Sequence, residues 1–181
     1  AAERAFTSIN GSLPEELEAE RYNLLARVYM EQGRFSDAAR LLSEWDVPTV
    51  WSAYARYNLG VALIRMGEVE AGATLLNKIG TSAEVTEHRE ELLALRDRAN
   101  VALGFAFLQA DMQGESKPVL QRVRLNGPYS NKALLGVGWA DSNSSDYRKA
   151  LIPWLELSER EQLDSAVQES LLAVPYAFAR L

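Results

Sequence analysis

The sequence predicts an all-α fold, a solenoid of antiparallel helix-turn-helix repeats. Three observations predict it. Apolar residues recur at helical spacing in segments such as "ARYNLGVALIRMGEVEAGATLL" (55–76). The chain resembles itself when shifted by 34 residues, and glycines recur at matching places in the shifted copies. A glycine inside a helix costs about 1 kcal/mol relative to alanine, so Gly60, Gly67 and Gly72 within one such segment need a structural reason.

The length of 181 residues suits one domain with a sizeable core. Hydrophobic residues at 48% and charged residues at 24% argue against disorder. A net charge of −6 gives no general electrostatic support to a nucleic-acid partner. No apolar run has membrane-spanning length, so direct membrane insertion is not expected. The first residues, "AAERAFTSING", lack the basic and apolar regions of a signal peptide. With no cysteine there are no disulfides and no thiolate metal sites. That absence, with the modest acidity, leans towards a bacterial cell envelope.

The repeat register is read from residues 19–42. Shifted by 34, Leu25 falls on Leu59, Ala26 on Gly60, Tyr29 on Leu63 and Gly33 on Gly67; Ala38 falls on Gly72 and Leu42 on Leu76. The pattern resembles the tetratricopeptide repeat (TPR), a 34-residue helical hairpin: a large residue, Leu, a small residue and an aromatic, then a turn glycine and a second small residue. In the first copy these are Tyr22, Leu25, Ala26, Tyr29, Gly33, Phe35, Ala38 and Leu42. The second has Leu59, Gly60, Leu63, Gly67, Val69, Gly72 and Leu76, with Arg56 in place of the large residue. A third opens with Leu103, Gly104 and Phe107, and its turn "DMQGESKP" fits with an extra residue or two. A fourth opens with Leu135, Gly136 and Trp139 and needs a two-residue insertion before Tyr147, Ala150, Trp154 and Leu157.

The resemblance implies a right-handed TPR-like solenoid over residues 1–181. Its parts are a second helix at 1–10, repeats at 19–46, 50–80, 84–125 and 130–160, and a lone first helix at 163–181. The glycines then have roles. Gly60 and Gly72 let the two helices of one repeat cross closely, Gly104 and Gly136 repeat that role, and Gly67 permits the turn. Ala2, Phe6 and Ile9 at one end, and Leu172, Ala173 and Tyr176 at the other, read as half-repeats with apolar faces. Because such arrays end in polar caps, a fragment of a longer array is expected.

Departures from the pattern predict local features. Spacing grows from 34 to 44 between Gly60 and Gly104, which predicts a lengthened first helix capped by Thr81 or Ser82. Pro153 and Pro175 fall within helical stretches. Pro118 is expected to open a second helix. "NGPYSN" (126–131) and "DSNSSD" (141–146) read as loops.

Chemistry finds little support. His88, the only histidine, lies in a charged stretch without converging partners. Glu15 and Glu16, like Glu90 and Glu91, are neighbours that point to different helix faces. "GESKP" contains too little of a phosphate-binding loop, and the sequons at Asn10 and Asn143 are short patterns common by chance. No catalytic residue, metal site or cofactor is expected, and the reading is a non-enzymatic one.

In the TPR family the first helices line a concave groove. Transferred to this sequence, that register assigns Asn23, Leu24, Arg27 and Met30 from copy one and Tyr54, Tyr57, Asn58, Val61, Ile64 and Arg65 from copy two. Copy three contributes Arg98, Val101, Phe105 and Leu108, and copy four Leu134 and Val137. Aromatic and arginine residues dominate binding energy at protein interfaces, so the partner implied is a helix or an extended peptide with apolar anchors. Apolar positions on a first helix can equally be core. Self-association through the apolar ends is the alternative. Some family members hold a terminal carboxylate in a clamp whose places here are Asn23, Arg27, Asn58, Arg98 and Ala102. Asn58 agrees and Arg98 keeps only charge, while the other three break that pattern.

Overall fold

A computed structural model describes Phe6, Ser8 and residues 13–44, 51–82 and 89–181. Nine helices occupy the longer described stretches, and no strand occurs among the described residues. They are α1 (Glu15–Glu31), α2 (Phe35–Ser43), α3 (Ser52–Arg65), α4 (Val69–Gly80), α5 (Arg89–Gln109), α6 (Gln113–Leu120), α7 (Ser130–Asn143), α8 (Tyr147–Ser158) and α9 (Ser165–Phe178). The chain divides into two compact units, Ala1–Ile79 and Gly80–Leu181.

Each hairpin closes in the same way. One turn residue takes a left-handed conformation: Gly33 (φ 73°), Gly67 (φ 89°), Asp111 (φ 56°) and Ser145 (φ 61°). Its amide donates to the carbonyl three residues back, as Gly67 does to Ile64 at 3.0 Å and Ser145 to Ser142 at 2.9 Å. The next amide reaches five residues back, as from Met112 to Phe107 at 2.8 Å and from Asp146 to Asp141 at 2.9 Å. These bonds satisfy carbonyls that a helix end leaves open. Glycine takes such a conformation freely, aspartate tolerates it, and serine bears a steric cost.

The four turn residues correct the register of the later copies. Gly33 to Gly67 spans 34 residues, Gly67 to Asp111 spans 44, and Asp111 to Ser145 spans 34. The third turn therefore has no extra residue, and the fourth copy has no insertion. By the same spacing Gly138, not Gly136, matches Gly104 and Gly60. Packing agrees. A Cβ on Gly138 would collide with the Trp154 indole of its own hairpin, whereas one on Gly136 would meet Leu120 Cδ1 at 2.9 Å and Phe105 Cε2 at 3.0 Å, both from the preceding hairpin. Gly136 thus makes room between hairpins rather than within one.

Close crossing is clearest at Gly60 and Gly72. A Cβ on Gly72 would lie 2.6 Å from the Gly60 carbonyl oxygen and 2.7 Å from Ile64 Cγ1. In the first hairpin Ala26 and Ala38, both fully buried, hold the matching places. In the third, Ser116 donates from Oγ to the Gly104 carbonyl at 2.8 Å. Around these crossings the first unit buries Ala39, Leu42, Ala55 and Ala62, with Tyr29, Leu59 and Leu63 packed against them. The second unit buries Leu134, Leu135, Leu151, Trp154, Leu157 and Val167 in one cluster. Leu25 is half-buried, and Leu103 and Ala150 are buried.

Other expectations meet the structure unevenly. α5 has 21 residues against 14 in α3 and α7, so the first helix of the third hairpin is the longer one. Its expected cap, Thr81 or Ser82, is separated from Arg89 by residues outside the described set, and His88 lies among them. The expected helix over 1–10 also falls outside the described residues, save Phe6 and Ser8. Pro153 and Pro175 lie within α8 and α9. Pro118 does not open α6; it is the sixth of eight residues. A helix ending two residues later loses one backbone hydrogen bond to that proline, which limits the cost.

Candidate partner-binding surface

The first helices of the two units present different chemistry. In the first unit a polar seam joins α1 to α3. Asn58 Nδ2 donates to Asn23 Oδ1 at 3.3 Å, and Asn23 Nδ2 donates to the Ala19 carbonyl at 3.1 Å and the Trp51 carbonyl at 3.4 Å. Both asparagines are buried, and so is Tyr57. Buried polar atoms that are hydrogen-bonded hold helices in one register. The two asparagines therefore brace α1 against α3, and little of the Tyr57 side chain is left at the surface. Arg27 and Arg65 are exposed, and Met30, Tyr54, Val61 and Ile64 are half-buried. Met30 packs against the alanine-rich core.

The second unit holds a cleft. Its volume is about 290 Å³, and its walls come from α5 (Val101, Ala102, Phe105), α7 (Lys132, Leu135) and α9 (Ser165, Ala166, Glu169). Val101 and Leu135 are buried and Phe105 is half-buried, so the floor is apolar and fixed. Lys132 and Glu169 are exposed at the rim. Of the residues expected on the groove, the cleft gathers Val101 and Phe105. It does not gather Arg98, which is exposed, or Leu108 and Val137, which are half-buried. Leu134 is buried in the α7–α9 core. The two-residue slip in the fourth copy explains the misplacement: at the corrected register Lys132 and Leu135 take the places that Arg98 and Val101 hold in α5.

Three groups of polar contacts keep the walls in position. Asp97, fully buried on α5, accepts from Arg124 Nε at 2.7 Å and from the Arg124 backbone amide at 3.3 Å. Arg124 also pairs with Glu90 at 3.1 Å. Its hydrogen bond to Asp97 raises the guanidinium pKa above its ordinary value, against desolvation. Asp97 thereby ties the segment after α6 to α5. Arg160 bridges from beyond α8 to Ser130 Oγ at 3.0 Å and Asn131 Oδ1 at 2.8 Å, fixing the start of α7. Lys117 on α6 pairs with Asp141 on α7 at 2.6 Å. The sequence gives no sign of Asp97, Arg124 or Arg160, and shows Lys117 and Asp141 only as members of turn-like segments. Polar partners spaced 24 to 30 apart carry no periodic signal.

An aromatic group backs the α9 wall. Trp139 packs edge-on to Trp154 at 4.9 Å between ring centroids, and Tyr176 lies 6.4 Å from Trp139. Trp154 donates from Nε1 to the Leu135 carbonyl at 3.1 Å. Among the described residues no group of three or more histidine, aspartate or glutamate side chains is placed to hold a metal ion. Nor is any described helix long and apolar enough to cross a membrane.

Several solved structures superpose on nearly the whole chain. One is a Podosopora anserina kinesin light chain-type protein with nearly identical TPR-like repeats, 14% identical, with a TM-score of 0.70 over 93% of this chain and 89% of that one. Another is MamA from Desulfovibrio magneticus RS-1, 16% identical, with a TM-score of 0.60 over 93% and 97% of the two chains. The fold is TPR-like. A further MamA structure agrees, at 18% identity and a TM-score of 0.60 over 92% of this chain and 90% of that one. At these identities the likeness concerns the helical repeat and nothing finer. No protein-family profile and no curated protein sequence matches the TPR-like chain.

Proposed function

We propose that this TPR-like chain is a non-catalytic protein-interaction scaffold that takes a helix or an extended peptide on the first-helix face of its second unit. The observation that carries this reading is the cleft floored by Val101, Phe105 and Leu135, where three first helices enclose an apolar floor between opposite charges. Rigid helices supply that surface, so little ordering is lost when a ligand docks. Polar residues of the first unit, Asn23 and Asn58, have the structural role described above. Arg27 and Arg65 remain as its exposed polar handles.

The test is Ala102→Arg, which places a long side chain in the cleft from a half-buried position. Partners captured by the wild-type chain and lost by the variant, with unchanged circular dichroism, support the reading. Equal capture by both rejects it. A second reading is favoured by α9, where Leu171, Leu172, Tyr176 and Phe178 are 43%, 75%, 40% and 57% exposed. Such a face serves self-association or packing within a larger protein, in which any catalysis would lie outside these residues. Sedimentation over a range of concentrations separates the two, because self-association gives dimers or larger species.

A further inference from the structure

The rim of the cleft constrains what can enter it. A volume of about 290 Å³ stands at the lower limit for small-molecule and cofactor sites, and suits one or two side chains better. The floor, formed by Val101, Phe105, Leu135 and Ala166, calls for an apolar group. Lys132 stands one helical turn before Leu135 on α7, and Glu169 one turn after Ala166 on α9. A cation and an anion therefore flank the apolar floor from different helices.

Glu169 is held in place. Trp139 donates from Nε1 to Glu169 Oε1 at 2.7 Å, and Trp139 is itself packed edge-on against the fully buried Trp154. A carboxylate offers about four acceptor sites, and the indole occupies one. Pre-positioning means that less side-chain freedom is lost when a partner cation arrives. Exposed ion pairs add little to affinity but choose register and partner. Affinity must come from the buried apolar group, and orientation from the two charges.

We infer that the cleft recognises a peptide segment carrying one large apolar side chain between an acidic and a basic residue, the acidic one against Lys132 and the basic one against Glu169. This rests on the scaffold reading above and specifies its ligand. The net charge of −6 would by itself favour basic partners throughout; Lys132 makes a local exception that fixes direction.

The experiment is selection of a phage-displayed random peptide library on the full chain, in parallel with Lys132→Glu/Glu169→Lys and Ala102→Arg. The wild type should enrich peptides with a large apolar residue flanked by opposite charges in one order. The double variant should enrich the reverse order. A selected synthetic peptide, followed by fluorescence anisotropy, should bind Lys132→Glu about fivefold more weakly, and a basic replacement at its acidic position should restore binding. Apolar peptides that compete with one another, are lost with Ala102→Arg and show no charge order would overturn this inference and leave the scaffold reading standing. Failure to enrich any peptide sensitive to Ala102→Arg would overturn both.

Discussion

Replacing Gly72 by alanine adds one methyl group at the point where α4 crosses α3. The new carbon would lie 2.6 Å from the Gly60 carbonyl oxygen, 2.7 Å from Ile64 Cγ1 and 3.0 Å from the Ile64 nitrogen. Ile64 can change rotamer, but the carbonyl belongs to helical backbone and moves only if the helices part. Overpacking costs about 1–3 kcal/mol, and a backbone obstacle places this site near the upper end. Alanine returns about 1 kcal/mol of helix propensity, which leaves a net loss of about 2 kcal/mol. With a urea slope of about 2 kcal/mol per molar, the midpoint for the first unit should fall by about 1 M. Circular dichroism during urea unfolding measures it. Gly114 in α6 is the comparator, because a Cβ there meets nothing within 4 Å; Gly114→Ala should raise stability by about 0.5 kcal/mol. Gly60→Ala should cost less than Gly72→Ala, since its contacts are longer, to Leu76 Cγ and Cδ2 at 3.0 Å and to the Gly72 carbonyl oxygen at 3.2 Å, while Gly60→Leu should cost far more. A Gly72→Ala midpoint equal to or above that of the wild type would refute close backbone crossing as the reason for these glycines.

Other outcomes follow from the same contacts. Asp97→Asn removes a charge buried against Arg124 and should cost about 2 kcal/mol in thermal unfolding, because Arg124 is partly exposed and keeps Glu90. Ser145→Gly relieves a left-handed conformation at φ 61° and should stabilise the second unit by about 0.5–1 kcal/mol, read by urea unfolding. The Asp37 carboxyl is held below its ordinary 3.8 by the hydrogen bond from Arg34, and that of Asp146 by the hydrogen bond from Lys149. Depressed values mean that these carboxylates stabilise the fold above pH 3.8 and lose that contribution as pH falls through their folded values. Both are surface groups, so melting temperature against pH should show a small acid-side loss that high salt flattens.

Much of the fold is legible in the chain because helical repeats are local. The helix period needs only neighbours four residues apart, and Gly60, Gly72 and Gly104 each carry their packing role in the absence of a side chain. The fourth copy shows where that legibility ends. "LLGVGWA" (134–140) contains two glycines two residues apart, and Trp139 three residues after Gly136 imitates the small-then-aromatic spacing. The turn at Ser145 and the bulk of Trp154 over Gly138 distinguish them. Asp111 and Ser145 hid the turns because they take a glycine's conformation without being glycine. The signal available was the shared 34-residue interval, Gly33 to Gly67 and again Asp111 to Ser145.

By itself, the sequence determined an all-helical chain of hairpins, the 34-residue register of its first half and the longer helix of its third hairpin. Those follow from periodicity and from side-chain size, which each segment carries alone. Tertiary structure decided which first-helix residues face inward. It joined Asn23 and Asn58 in a buried seam, buried Tyr57, and brought Lys132, Leu135, Ala166 and Glu169 to one cleft. A helix face is chosen by what packs against it, and residues on α5, α7 and α9 become neighbours only when the intervening second helices fold back between them.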